Sequence, residues 1–217
     1  MFSQAEENYL KAIYTLQNNH GMAINTNLIA KKMNTKASSV TDMIKKLSVK
    51  KLLTYKKYQG VKLTVKGKKI ALKVIRKHRL WEYFLVKKLN YRWDEVHEIA
   101  EQLEHIKSET LIDNLEAFLN HPKFDPHGDP IPDKDGNIML TKTVNLLKLK
   151  VGQKGILDSL KDSSDVFLKY LNKKNLALRD RIKVIDIEPF DNSIHIETKT
   201  HQLVISKKVA ENINIKI

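Results

Sequence analysis

Apolar side chains recur at helical spacing through the first third of the chain. Tyr9, Leu10, Ile13, Tyr14 and Leu16 predict a helix over residues 6–18, closed by Gly21. Leu28, Ile29 and Met33 predict a short second helix from Thr26 to Met33, and Asn34-Thr35-Lys36 breaks it. Val40, Met43, Ile44 and Leu47 then fall at i, i+3, i+4 and i+7, the apolar face of a third helix over Ser38–Leu47. From Leu52 to Thr64 the pattern changes to two β-prone arms around Gln59-Gly60, with lysines at the tip. A long helical stripe follows from Val65 to Leu89, through Ile70, Leu72, Val74, Ile75, Leu80, Trp81, Phe84 and Leu85. Two further helices are expected near Asp94–Ile106 and Ser108–Leu119, with Asp94 and Ser108 as N-caps.

Residues 121–139 hold four of the five prolines and read as a linker or ordered crossing loop. Beyond them the pattern is short β-prone runs: Val144–Leu149, Gly155–Leu160, Arg181–Ile187, Ile194–Thr198 and Gln202–Ile205, with one helical insert at Asp165–Leu171. Such runs suit a small, partly open barrel. The expected fold class is mainly α with β, in three parts. Residues 1–64 form a winged helix, 65–140 a helical domain that includes the proline-rich loop, and 141–217 the small β-barrel.

Two short helices joined by a tight turn, followed by a basic hairpin, form a winged helix-turn-helix. Charge supports that placement. Residues 1–80 hold 18 Lys+Arg against 3 Asp+Glu, whereas the remaining 21 and 22 nearly cancel. A positive field confined to one module points to a phosphate backbone. Lys36, Ser38, Ser39, Thr41 and Lys45 on the third helix, with Lys57 and Lys62 on the wing, are the candidate DNA contacts; the short hydroxyl residues let backbone approach bases and phosphates. A winged helix that reads a palindromic operator needs a two-fold partner, so the long helix and its successors are expected to build a homodimer core.

No apolar run approaches the length of a membrane span, and the N-terminus lacks a basic segment followed by an apolar one, so a cytoplasmic protein with no membrane partner is expected. The absence of cysteine excludes disulfides, thiolate zinc sites and cysteine nucleophiles. His, Asp, Glu and Asn remain as metal ligands. In His97-Glu-Ile-Ala-Glu-Gln-Leu-Glu-His105, helical geometry sets His97, Glu101, Glu104 and His105 on one face, at roughly 0°, 40°, −20° and 80°. His78 and Glu82 repeat the pairing upstream. Imidazole with carboxylate suits a borderline or hard divalent ion, although a Glu/His-rich helix is also a common solvated face. Two other functions compete: a metal-dependent hydrolase, for which no substrate cleft is marked, and a winged-helix regulator answering a non-metal ligand. His20, His121, His127, His195 and His201 read as structural or surface residues, and Trp81 and Trp93 as core.

The basic winged helix, Arg76-Lys77-His78-Arg79-Leu80-Trp81-Glu82, Val96–His105, His121-Pro122 and Gly128-Asp129-Pro130-Ile131-Pro132 together resemble the diphtheria toxin repressor and manganese transport regulator family over essentially the whole chain. The last segment is similar to that family's SH3-like, FeoA-type domain. The resemblance implies a metal-activated transcriptional repressor of metal-homeostasis genes, not an enzyme and without a small organic substrate. It also implies two Mn²⁺ or Fe²⁺ ions per subunit. Glu104 and His105 match the family's central ligands, with Asn8 from the first helix; His78, Glu82 and His97 match its ancillary site. Glu101 stands where manganese-responsive members have Glu and iron-responsive members have Cys, which favours Mn²⁺. Asp162 and Asp165 lie where iron-type members donate oxygen ligands from the third domain. Two departures stand out. Asn8 replaces an Asp or Met, and Lys11 stands where paired-ion members have a carboxylate, so a binuclear site of that kind is not expected.

Overall fold

The computed structural model describes all residues except Met1, Gly21, Met22, Lys57, Tyr58 and Leu140 and the side chains of Asn19 and His20. The predicted end of the first helix at Gly21 and the wing contact at Lys57 therefore lie outside the described residues. The chain divides into two compact units: Met1–His78 with Glu101–Asp113 and Pro132–Ile138, and Arg79–Ala100 with Asn114–Ile131 and Met139–Ile217.

In the first unit α1 (Gln4–His20), α2 (Thr26–Lys32) and α3 (Ala37–Val49) are followed by a hairpin of β1 (Leu53–Lys56) and β2 (Gly60–Leu63). A capping box starts α1: Ser3 N–H donates to Glu6 Oε2 and Glu6 N–H to Ser3 Oγ. Asn25 caps α2 through the Leu28 N–H. The hairpin pairs Leu53 with Leu63 and Lys56 with Gly60, and Gly60 takes a φ of +84° in its turn, where a Cβ would meet the Ile24 carbonyl oxygen at 2.8 Å. The predicted stripes meet in one core: Leu10, Ile13, Ile29, Val40, Ile44, Leu47, Leu52, Val61, Leu72 and Ile75 are buried together. That is the winged helix expected from the pattern.

The helix α4 runs over Val65–Leu89, the range its apolar stripe predicted, and α6 (Glu109–Phe118) starts under a Ser108 cap, whose Oγ accepts the Leu111 N–H. The intervening helix differs from expectation. α5 covers only His97–Leu103, and Glu104 and His105 form the turn beyond it. Asp94 is not its cap, because its carboxylate is taken by Arg92 and Asn172.

In the second unit the sheet is antiparallel and six-stranded, in the order β3 (Val144–Asn145), β8 (Ile213–Lys216), β4 (Lys154–Leu160), β5 (Arg181–Ile187), β6 (Ile194–Glu197) and β7 (Gln202–Ile205). Between them lie α7 (Asp165–Lys173), capped by Ser164, and α8 (Lys207–Ala210), capped by Ser206. Leu146, Leu157, Leu168, Leu171, Val184, Ile196 and Ile215 form its core. Two points depart from the sequence reading. The run from Val144 is a two-residue strand that turns into a 3₁₀ segment at Leu146–Lys148, and the Ile-Asn-Ile-Lys alternation at the C-terminus adds a sixth strand. The register of β4 on β8 shifts between Leu157 and Ser159, a bulge at Asp158.

Candidate metal and nucleic-acid sites

Most of the predicted DNA contacts lie on or beside α3. Lys36 precedes its first turn, and Ser38, Ser39 and Lys45 are exposed along it. Thr41 is half-buried and its hydroxyl donates back to the Ala37 carbonyl, which leaves its oxygen lone pairs available. Lys45 is only loosely paired, 3.7 Å from Asp42 on an exposed face. Lys62 projects from β2 and is exposed. Near the other end of α3, Lys46 and Lys50 reach Glu6 of α1 at 3.1 and 2.6 Å. Burial pushes the Glu6 carboxyl upward, but hydrogen bonds from Lys50, Ser3 and Lys46 outweigh it and hold the group down at about 2.

Also within the first unit, Glu104 is the centre of a charged cluster and is fully buried. Its Oε2 accepts from His78 Nδ1–H at 2.7 Å, and Lys11 Nζ of α1 donates to both its oxygens, at 2.6 and 2.8 Å. Lys11 also donates to Glu101 Oε1 at 2.6 Å. His105 Nδ1–H donates to Glu7 Oε2 at 2.6 Å, and its Nε2 lies 3.6 Å from Glu104 Oε1. Lys77 Nζ donates to the Ile106 carbonyl, fixing the turn that carries Glu104 and His105. Asn8 Oδ1 is buried without a hydrogen-bond partner among the described residues. A buried, unpartnered amide oxygen of that kind fits the role of a cation ligand.

The second unit holds a different group. Glu82 of α4 and Asp125 and His127 of the proline-rich loop are all buried, and each offers a ligand atom within 4.8 Å of the other two. The His127 Nε2–H donates to the Trp93 carbonyl at 2.8 Å, which leaves Nδ1 turned to Glu82 Oε2 at 3.5 Å. An imidazole anchored to backbone through one nitrogen and facing carboxylates with the other is the arrangement of metal-bound histidines. Burial lowers the His127 imidazole, but hydrogen bonding to Glu82, the charges of Glu82 and Asp125 and the Trp93 carbonyl outweigh it and raise the group to about 9. Burial, with Asp129 and Glu82 nearby, raises the Asp125 carboxyl against the pull of Arg79 and His127. His97 Nδ1 lies 3.5 Å from Glu82 Oε1.

The loop is shaped for this. Asp125 Oδ1 accepts the backbone N–H of His127 and of Asp129, and Arg79 ties Asp125, Asp129 and the Pro130 carbonyl to α4. Gly128 has a φ of +84°, and a Cβ on it would meet the Asp158 carbonyl oxygen at 2.1 Å, so only glycine lets the loop close on the β4 bulge. Asp125 and His127 were missed in the sequence. The signal available was an Asp-Pro-His-Gly-Asp run with a turn glycine inside a proline-rich segment. Of the remaining predicted ligands, Asp162 Oδ1 accepts the Ser164 N–H and Asp165 lies 3.9 Å from Lys169.

Comparison with known proteins accounts for all three parts of the chain. Residues 1–61 match the iron dependent repressor N-terminal DNA binding domain, residues 64–133 the iron dependent repressor metal binding and dimerisation domain, and residues 144–217 the FeoA domain. The HTH-type transcriptional regulator MntR of Oceanobacillus iheyensis is 35% identical over 119 residues, 55% of this chain and 80% of the relative. The chain belongs to the iron-dependent repressor family. Another member, the iron-dependent repressor IdeR of Mycobacterium leprae, is 33% identical over 153 residues, 67% of this chain and 66% of the relative's length, so the matched region spans less than two thirds of that protein. A manganese-dependent transcriptional repressor solved in complex with manganese superposes with a TM-score of 0.89 at 32% identity, covering 97% of this chain and 98% of that one. No helix among the described residues is long and apolar enough to cross a membrane.

Proposed function

We propose that the protein is a cytoplasmic, homodimeric, divalent-metal-dependent repressor that binds a palindromic operator and controls metal-homeostasis genes. The observation that carries the metal dependence is the buried Glu82–Asp125–His127 group, whose imidazole is oriented by the Trp93 carbonyl. Two carboxylates and an imidazole, in a chain without thiols, suit Mn²⁺ first and Fe²⁺ next. A bound ion supplies two positive charges among these acids; Arg79 holds the loop and Trp93 holds the ring. His97 stands at hand beside Glu82.

The second seat is Asn8, Glu101, Glu104 and His105 with His78, and the orphaned Asn8 oxygen supports it. Asp162 and Asp165 remain candidate oxygen donors of the third domain. DNA contact falls to Lys36, Ser38, Ser39, Thr41 and Lys45, with Lys62 and Lys57 of the wing. Leu89 and Phe118, 51% and 59% exposed, offer apolar surface for the partner subunit. The test is fluorescence anisotropy of an operator fragment from the gene's own upstream region, titrated with Mn²⁺, Fe²⁺, Zn²⁺ and chelator. Metal-dependent tightening is expected. Equal affinity with chelator would overturn metal gating and favour an organic effector.

A further inference from the structure

We propose that Lys11 is a tethered cation that competes with divalent metal for the Glu101 and Glu104 carboxylates, making the second seat a weak site. The inference rests on the chain being metal-regulated, but a separate observation carries it. Three carboxylate oxygens of these two acids accept from one ammonium at 2.6 to 2.8 Å. Glu104 is fully buried and needs a counter-charge, and Lys11 is well covered, its side chain 17% exposed. Because Lys11 sits on α1, one turn beyond Glu7 and beside Asn8, its ammonium is present at a high effective concentration whatever the metal level.

An ion entering this cluster meets a positive charge already hydrogen-bonded to its ligands. It must displace Lys11 into solvent, and the neutral oxygen that α1 leaves buried and unpartnered among the described residues is Asn8 Oδ1. Around the Glu82–Asp125–His127 group, Arg79 pairs with Asp125 and His127 with Glu82. The two seats therefore differ in affinity by design of their counter-ions. At low metal the first unit keeps α1 joined to the Glu104 turn through Lys11, and metal reports first at the loop.

The test is calorimetric titration of the full-length protein with Mn²⁺, with bound ion counted by electron paramagnetic resonance. Wild type is expected to take one tight ion per chain and a second, weaker one. Lys11→Met should tighten the second by roughly ten- to a hundredfold, the scale of a lost buried ion-pair competitor. Lys11→Arg, which keeps the charge, should not tighten it, and Glu104→Gln added to Lys11→Met should erase the gain. Two equally tight ions in wild type, or an unchanged second affinity in Lys11→Met, would overturn the proposal. Should Lys11→Met fail to fold without metal, recovery of its fold by Mn²⁺ and not by Mg²⁺ supports competition, and no recovery by either counts against it. Absence of Mn²⁺ binding by wild type and Lys11→Met alike would instead remove the metal reading itself.

Discussion

The two units neutralise their buried acids in different ways. In the first, lysines carry most of it: Lys46 and Lys50 for Glu6, and Lys11, beside His78, for Glu104 and the half-buried Glu101. In the second, planar groups do it: His127 and Arg79 around Glu82 and Asp125, and Arg179 on Asp158. A lysine is a flexible point charge that occupies a carboxylate and adds no ligand of its own. An imidazole can shed its proton and become a ligand, so His127 can exchange a proton for a metal ion, whereas Lys11 can only be displaced.

The largest expected effect comes from removing that imidazole. His127→Ala should weaken Mn²⁺ binding by about a hundredfold or more, since both a ligand and its oriented backbone contact are lost. Calorimetry checks it, and undiminished affinity would break the contrast between the units. Next is Gly128→Ala, which forces a side chain into the Asp158 carbonyl at a positive φ. It should destabilise the chain by about 2 to 4 kcal/mol in urea denaturation. A neutral result would show that the loop does not need its closed form.

The lysine side of the comparison is tested by pH. The Glu6 carboxyl lies at about 2 in the folded protein against an ordinary 4.5, so its ionised form stabilises the fold above about pH 4.5 and the contribution fades as pH falls toward 2. Glu6→Gln should cost about 1 to 3 kcal/mol at pH 7 and much less near pH 2.5, read from denaturant midpoints. An equal loss at both pH values would mean that charge is not what Glu6 contributes. The smallest effect belongs to an exposed lysine. Lys62→Ala should weaken operator binding by roughly two- to fivefold regardless of sequence and lower the salt slope by about 1. A change confined to one operator sequence would assign Lys62 to base contact instead.

The sequence made the elements legible wherever one residue period ran unbroken: α4 over Val65–Leu89, β5 over Arg181–Ile187 and β7 over Gln202–Ile205 coincide with the expected ranges. It also made Glu82, Glu104 and His105 visible as candidate ligands. The failures have a common physical cause. Helix period placed Glu104 and His105 on the His97 face, but tertiary partners hold them in a turn, with Glu7, Lys11 and His78 engaging their side chains and Lys77 the backbone that follows. Lys11 was legible as a missing carboxylate, not as the cation on residues ninety positions away. Asp125 and His127 carry no periodicity at all, because these loop residues are positioned by an Asp-centred turn and a glycine, and they meet Glu82 only in the folded unit.

The Glu82–Asp125–His127 seat contains no sulfur, and neither does any other candidate ligand in the chain. Thiolate ligands pass through sulfenic and sulfinic acids under peroxide, and a sensor that depends on them is silenced by the oxidants that accompany iron chemistry. Carboxylates and imidazole have no place on that ladder, so oxidation of sulfur is not a route by which the proposed seat would lose its ligands.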